Sequence, residues 1–517
     1  MAKDFTLFAV LRLLSVFLVQ TAYVPDEYWQ SLEVAHKLSF GYGYLTWEWQ
    51  EGIRSYVYPL FLTGLYQIVS ILRLDSVFIL VTAPRVIQAL LTAYADVSIL
   101  SWIRNPTYGR SPWAKITIVT SWYLFYVGSR TLYNTLEADL IGIALSQYPW
   151  PNSKASGSSK YLLWGALACI IRPTAAVILL PLFVYQIVKS EERLRVILKT
   201  LIIGSLSTAL VFSADTYASN SSTFSPLNFL KANILRNVAS FYGEHSSVWY
   251  LTNGIPMLLG IHFFPFLFEV YKIVRGPNRQ TYDVLMMVVF WSTVFIYSLQ
   301  PHKETRFLLP LLPIALFWCA GGLSRFERSS LKQNWGRAQR FVNQLSRLLP
   351  WLLLISGAIP SLYFGLVHQR GTLDVMTWLS NRAKACPEKT RILFLMPCHS
   401  TPLYSHLHVN VPTRFLTCVP DLQTVPDPGY IDEADSFYAD HVTWLAKEFP
   451  ETRPELLYSH IVHFDTLQTK LDPFLKWGKY SEAASFFHTH FPSERIGGRV
   501  VVQERAASLS GCSVGAT

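Results

Sequence analysis

The sequence predicts a polytopic, all-helical membrane protein with a soluble α/β domain after its last span. Three observations predict it. Of 517 residues, 51% are hydrophobic and only 15% are charged, against about 25% charged in soluble domains. Apolar runs approaching the ~20 residues that a helix needs to cross a hydrocarbon core recur up to residue 366. After residue 366 no 18-residue apolar run occurs, and Pro, His and acidic residues become common. The 16 Trp and 27 Tyr suit aromatic belts at the two membrane faces. A net charge of +10 reads as a topology signal and not as affinity for nucleic acid, because Lys and Arg fall in short loops. The sequence has no glycine-rich phosphate loop, zinc-type Cys pattern or repeat array.

In chain order, the first run, 5–23, is followed by no small-residue cleavage site, so it predicts a retained signal-anchor helix. Further runs lie near 56–73, 84–103, 113–130, 134–150, 160–172, 174–188, 198–217, 255–272, 283–300, 306–323 and 347–366. Arg172-Pro173 splits the 160–188 region into two short halves. About 11 to 13 spans are expected, all helical, because lipid leaves no other open structure with its backbone satisfied. Loops 104–110, Lys154 to Lys160, 189–199, 272–279 and 325–340 carry Lys or Arg and are assigned to the cytosol. Loops 24–55, 130–135, 172–174, 218–254, 300–306 and everything after 366 then face the lumen. The alternation requires an odd number of crossings in 56–103, so a further short crossing is expected in 74–84.

The chain therefore divides into a multi-span unit, 1–366, with a large first lumenal loop, and a lumenal unit, 367–517. In the second, "RILFLMP" (391–397) and "RVVVQER" (499–505) read as strands. Four of the six Cys, Cys386, Cys398, Cys418 and Cys512, fall there, where disulfides form. A Cys398–Cys418 bridge is one pairing among those that spacing leaves open. "NSS" at Asn220 is a glycosylation sequon in a lumenal loop.

"YVPDEYWQSLE" (23–33) carries the first candidate chemistry. Pro25 followed by Asp26 and Glu27 suits a helix start, where acids favour the positive end of the dipole. A carboxylate at a membrane face also suits a general base acting on a hydroxyl. Adjacent helical residues point about 100° apart, so the two acids should have different roles. In "LTWEWQEGIRSYVYPL" (45–60), Trp47 and Trp49 read as interfacial anchors or as sugar-stacking rings, with Glu48 and Arg54 as hydrogen-bonding groups. "LQPHKETRFLLPLLP" (299–313) places His302, Lys303, Glu304 and Arg306 between two spans. Snorkelling explains one such cation better than three. Arg172 in "IIRPTAA" and Arg130 in "SRTLYNTLEADL" add cations at lumenal helix ends. Ionisable groups at such depth are functional by default, and cations there suit a lipid phosphate. His399, His406, His408, His488 and His490 lack the carboxylate or Cys partners of a metal site, so no metal is expected.

"VPDEYWQSLE", "GYGYLTWEW", "RSYVYPL", "IRPTA", "NFLKANILRN", "FYGEHSSVWY" and "HKETRFLLPLLP" resemble the dolichol-phosphate-mannose-dependent mannosyltransferases of the GT-C fold. The resemblance runs from about residue 14 to 505. Tail motifs "GLVHQRGTLDVM", "MPCHSTPLYSHLH", "IDEADSFY" and "FFHTHFPSERIG" resemble the branch that adds the third mannose of the GPI-anchor precursor. Many relatives have His before Pro-Asp-Glu; this chain has Val24, so no role passes to a His there.

The resemblance implies an inverting enzyme of the endoplasmic reticulum membrane, with dolichol phosphate mannose as donor and the GPI glycolipid as acceptor. Asp26 is then the expected base, and Glu27 orients it or the acceptor. Arg130, Arg172, His302, Lys303 and Arg306 are expected to hold the donor phosphate, and Trp47, Glu48, Trp49 and Arg54 the acceptor sugars. No metal, other cofactor or nucleic acid is expected, and the sequence names no protein partner. Two alternatives remain open at this point. One is a sibling mannosyltransferase of the N-glycan precursor or of the fourth GPI mannose. The other is a transporter or lipid scramblase that uses the same charges as a path.

Overall fold

The computed structural model describes residues 2–105, 111–151, 159–236, 238–277, 280–332, 339–422 and 429–505. Lys154 and Cys512 lie outside them. Helix α1 (Ala2–Leu18) packs antiparallel to α2 (Val77–Ile103), and polar contacts at three levels fix their register. Asp4 meets Lys115 at 2.5 Å and Arg104 at 3.8 Å. Arg12 and Asp96 form a fully buried pair at 2.8 Å. Arg85 donates to the Val19 carbonyl at 2.7 Å. Charges at these depths are tolerated because they pair inside the bundle.

The apolar run at 56–73 is the helix Val57–Ile71, and it does not cross beside them. Tyr56, at its start, packs with Val34 and Trp49, and its backbone N–H donates to Asp215 at 2.7 Å. Just past its end, Asp75 lies 3.8 Å from His408 of the C-terminal domain. Both ends therefore lie on the face that carries that domain. The further crossing expected in 74–84 is absent: residues 77–84 are the first turns of α2, which continues through Pro84. Pro84 reads as a helix break in sequence, but buried membrane helices tolerate proline where neighbours satisfy the freed backbone. One crossing in 56–103 still gives the odd count that the alternation needs.

Among the described residues, six helices are long and apolar enough to cross a membrane: Val77–Ile103, Arg193–Ser219, Tyr250–Arg275, Thr281–Ser298, Thr305–Arg328 and Arg347–Ala385. Three shorter apolar helices are Val57–Ile71, Lys160–Ile171 and Ala175–Lys189. Other expected spans are broken or short. The 113–130 run divides into Ala114–Val119 and Trp122–Val127, and 134–150 becomes the 15-residue helix Tyr133–Gln147. Interrupted helices of this kind persist at membrane depth where protein covers them or where they line a cavity.

The C-terminal region holds a five-stranded sheet: β1 (Ile392–Leu395), β2 (Thr413–Phe415), β3 (His460–Phe464), β4 (Tyr480–Phe487) and β5 (Arg499–Arg505), in the order β2-β1-β3-β5-β4. β1 is parallel to β2 and β3, and β5 is antiparallel to β3 and β4. β1 and β5 match the two strands expected from sequence. One face of the sheet packs Leu393, Leu395 and Ile461 against Phe437, Trp444 and Leu471. The other packs Ile392, Phe394, Val462, Val500 and Val502 against Leu379 and, in the same apolar cluster, Tyr28, Trp29, Leu32 and Ala35. The core of the tail is thus continuous with the helix that follows the acidic pair. Cys398 and Cys418 form a disulfide with a Cα–Cα separation of 5.9 Å.

Candidate active site

Asp26 and Glu27 open a helix over 26–40 that contains a π-turn at Tyr28–Leu32. Its first bonds run from the N–H groups of Tyr28 and Trp29 to the Pro25 carbonyl, both at 3.0 Å. π-turns are rare and frequent at functional sites. The two carboxylates diverge. Glu27 Oε2 lies 2.6 Å from Arg130, with side chains only 3% and 1% exposed. Arg130 also donates to the carbonyls of Tyr126 and Thr21 and stacks 4.4 Å from the Tyr126 ring. Every strong direction of this pair points into the protein. Asp26 Oδ2 lies 2.6 Å from Arg306, but its side chain is 26% exposed. Of the two acids, Asp26 has the access a base requires.

Arg306 is shared. Its Nε and Nη2 donate to the two oxygens of Glu304 at 2.8 and 2.5 Å, and His302 approaches Glu304 at 3.1 Å. Burial alone raises the Glu304 pKa; Arg306 and His302 overcome it and bring it down to about 2. Arg306 and Arg172 both lie over the Phe307 ring, at 5.4 and 5.6 Å. Arg172 also contacts Glu137 at 3.0 Å and Asn134 at 3.2 Å. Lys303 is turned elsewhere. Its buried ammonium donates to the carbonyls of Gln300, His245 and Pro301, so it ties 300–303 to the neighbouring loop and does not join the other cations.

A small cavity lies beside this group, with Arg54, Arg172, Ser55, Tyr133, Ser225 and Phe229 among its walls. It unites two cations assigned to different ligands from sequence, Arg172 to the phosphate and Arg54 to the acceptor. Arg54 is held by Glu48 at 2.7 Å, and Gln30 holds the other Glu48 oxygen at 3.1 Å. Burial works against the Arg54 charge, while Glu48 and then Asp26 favour it, so its pKa is raised on balance. Trp47 and Trp49 do not face this space as stacking platforms. Both rings are buried; their N–H groups donate to Tyr242 at 3.0 Å and to the Trp29 carbonyl at 3.2 Å.

Two acids that sequence reasoning left aside complete the frame. Asp215 accepts from Ser55 Oγ, Tyr56 N–H and both Ser225 donors at 2.5–3.3 Å, fastening the first loop to the loop after residue 219. Its signal was a carboxylate at the end of an apolar run. Glu33 accepts from Leu403 and Ser405 N–H at 2.7 and 3.1 Å and from Ser405 Oγ at 2.5 Å. It fastens the helix of Asp26 to the tail motif; burial raises its pKa against those bonds. Asn220 is exposed at the C-cap of Arg193–Ser219. Cys398, His399 and Cys418 bring potential metal ligands together, but the two sulfurs form a disulfide and offer no thiolate.

The Alg9-like mannosyltransferase family model matches residues 4–408. The chain belongs to the Alg9-like mannosyltransferase family. Among curated relatives, GPI mannosyltransferase 3 of Drosophila melanogaster is 44% identical over 480 residues, covering 91% of this chain and 81% of the relative. GPI alpha-1,2-mannosyltransferase 3 of Homo sapiens is 41% identical over 501 residues, covering 96% and 85%. ArnT from Cupriavidus metallidurans in the apo state superposes with a TM-score of 0.57 at 13% identity, over 99% of each chain. Archaeal oligosaccharyltransferase AglB from Archaeoglobus fulgidus, in complex with an inhibitory peptide and a dolichol-phosphate, gives 0.50 at 12% identity, over 94% of this chain and 73% of that one. At those identities the likeness concerns the fold alone. This mannosyltransferase is a multi-pass membrane enzyme of the GT-C fold.

Proposed function

We propose that the enzyme transfers mannose from dolichol phosphate mannose to the second mannose of the GPI-anchor precursor, in α-1,2 linkage, as its third mannose. The observation that carries this reading is the likeness to GPI mannosyltransferases 3 at 41–44% identity over 91–96% of the chain. The reaction belongs in the endoplasmic reticulum membrane, with the active site and C-terminal domain lumenal. Inversion needs a single displacement. Asp26 takes the proton from the acceptor 2-hydroxyl as its oxygen forms the bond to mannose C1. The bond from C1 to the phosphate oxygen breaks, and dolichol phosphate leaves with the electron pair. Arg54 and Arg172 stabilise the departing charge in their cavity, and Arg306 holds Asp26 in place. The displacement uses no metal or cofactor. A transporter would use these charges as an open path; here Asp26–Arg306 and Arg172–Glu137 are closed pairs.

Deleting the gene and analysing lipid-linked glycans tests the assignment. A two-mannose GPI precursor should accumulate. Accumulation of a three-mannose precursor, or truncation of the N-glycan precursor, would reassign the enzyme to a sibling step. Arg172→Ala should lower kcat/KM for the donor by roughly ten- to a hundredfold, the loss of one hydrogen bond to a charged group, with acceptor KM unchanged. Unchanged donor kinetics in the folded variant would remove Arg172 from the phosphate site. Glycosidase treatment should shift the protein's mobility, and Asn220→Gln should abolish that shift. A glycosidase-resistant wild type would contradict lumenal placement of this loop.

A further inference from the structure

The last span ends beside the C-terminal domain, and one ring of that domain continues the outer face of the span. In the helix Gln339–Leu366, Leu348, Trp351, Ile355, Ile359 and Leu362 are exposed. Spacings of three and four residues put them on one face, which in a membrane span meets lipid. Tyr363, in the last turn, is four residues beyond Ile359 and extends the same row. Its ring packs edge-on against Phe491 at 6.3 Å between centroids. The His368 ring, just past the helix, lies 6.1 Å from Phe491. Phe491 itself is 69% exposed.

Phe491 belongs to the connection between β4 and β5, and that connection is bonded to the end of the span. The N–H groups of His488 and Thr489 donate to the Gly498 carbonyl at 2.8 and 3.3 Å. Thr489 Oγ1 accepts from the Phe491 N–H at 3.0 Å and lies 3.0 Å from His368 Nδ1. The Tyr363 hydroxyl meets His490 Nδ1 at 3.0 Å. The exposed ring is therefore held in place, not left on a free loop.

Single exposed apolar side chains are common on protein surfaces and need no explanation. Val442, 63% exposed, is such a case. Its helix, His441–Glu448, packs through Trp444 and Leu445 on the sheet face that meets only residues of the C-terminal domain. Phe491 differs by position. It stands at the end of a lipid-facing row, at the level where aromatic side chains gather in membrane proteins. Pro492, Ser493, Glu494 and Arg495 follow it, exposed and mostly polar, so the part that can leave water is this one ring.

We propose that Phe491 is a membrane anchor of the C-terminal domain, its ring inserted beside Tyr363 among the lipids of the leaflet that faces this domain. Backbone bonds connect the anchor to the active site. The Gln369 N–H donates to the His488 carbonyl at 2.8 Å, and the Gln369 carbonyl accepts from the Ala22 N–H at 3.0 Å. Ala22 lies in the segment that leads into Asp26. The anchor thus fixes the height of the helix of Asp26 against the bilayer surface, where the head groups of lipid-linked molecules lie.

Spin labelling of the full-length enzyme in lipid nanodiscs tests this. Pro492→Cys places a nitroxide beside the intact Phe491, while Ile355→Cys and Val442→Cys mark lipid and water. Wild type treated alike gives the background from the native cysteines. Oxygen, which concentrates in the bilayer, should relax the Pro492→Cys label more than a water-soluble nickel chelate does, as at Ile355→Cys and opposite to Val442→Cys. Adding Phe491→Asp should reverse the preference at Pro492→Cys and leave that at Ile355→Cys unchanged. A nickel preference at Pro492→Cys with Phe491 intact would overturn the anchor, and so would an oxygen preference that survives Phe491→Asp. Protection from both reagents would overturn it as well, because a second copy or another protein would then cover the ring.

Discussion

Asp26→Asn is expected to fold, to bind donor, and to transfer mannose at least ~100-fold more slowly, the low end for general-base catalysis. Asn keeps the size of the side chain and starts a helix about as well as Asp. It also still offers an oxygen to Arg306, 2.6 Å away in the native enzyme. It cannot take a proton. A helix-start role alone leaves turnover near normal, so steady-state turnover with a thermal melt separates the two readings. Glu27→Gln is the control. It should lose stability more than it loses turnover per folded molecule, because Glu27 is closed off by Arg130. An active Asp26→Asn beside a well-folded but inactive Glu27→Gln would exchange the roles.

Arg130→Ala should destabilise the protein by about 3–5 kcal/mol, the usual consequence of leaving one member of a buried ion pair alone. The position is more demanding than most. The guanidinium also satisfies two carbonyls and covers the Tyr126 ring, and Glu27 stays behind in a site that water scarcely reaches. Thermal unfolding in lipid nanodiscs measures the effect. An unchanged melting temperature with lost donor binding would instead make Arg130 a phosphate ligand, the role expected from sequence.

Composition and run lengths made the class of protein legible. The helix Val57–Ile71 shows the limit. Its hydropathy resembles that of a span, and only the anchors of Tyr56 on Asp215 and Asp75 on His408 reveal that both ends share a face. Strands β1 and β5 were readable from their apolar runs. β3, "HIVHF", was not, because two histidines interrupt its buried run. At the site, two adjacent acids on a helix had to diverge, but which one is enclosed depended on Arg130, a residue 103 positions away. Lys303 and Arg306 look alike in "HKETRF"; three carbonyls claim the first and two carboxylates the second. Trp47 and Trp49 had the composition of a sugar platform and the burial of a small core. The union of the tail with the helix of Asp26 had no local signal, since Glu33 reaches partners 370 and 372 residues away.

The most direct measurement is the linkage and anomeric configuration of the product made by purified enzyme from radiolabelled dolichol phosphate mannose and a two-mannose GPI glycolipid. The account predicts one added mannose, in α configuration and released by an α-1,2-specific mannosidase, and almost none of it with Asp26→Asn. Label that resists this mannosidase, product that retains the β configuration of the donor, or equal product from Asp26→Asn would contradict it.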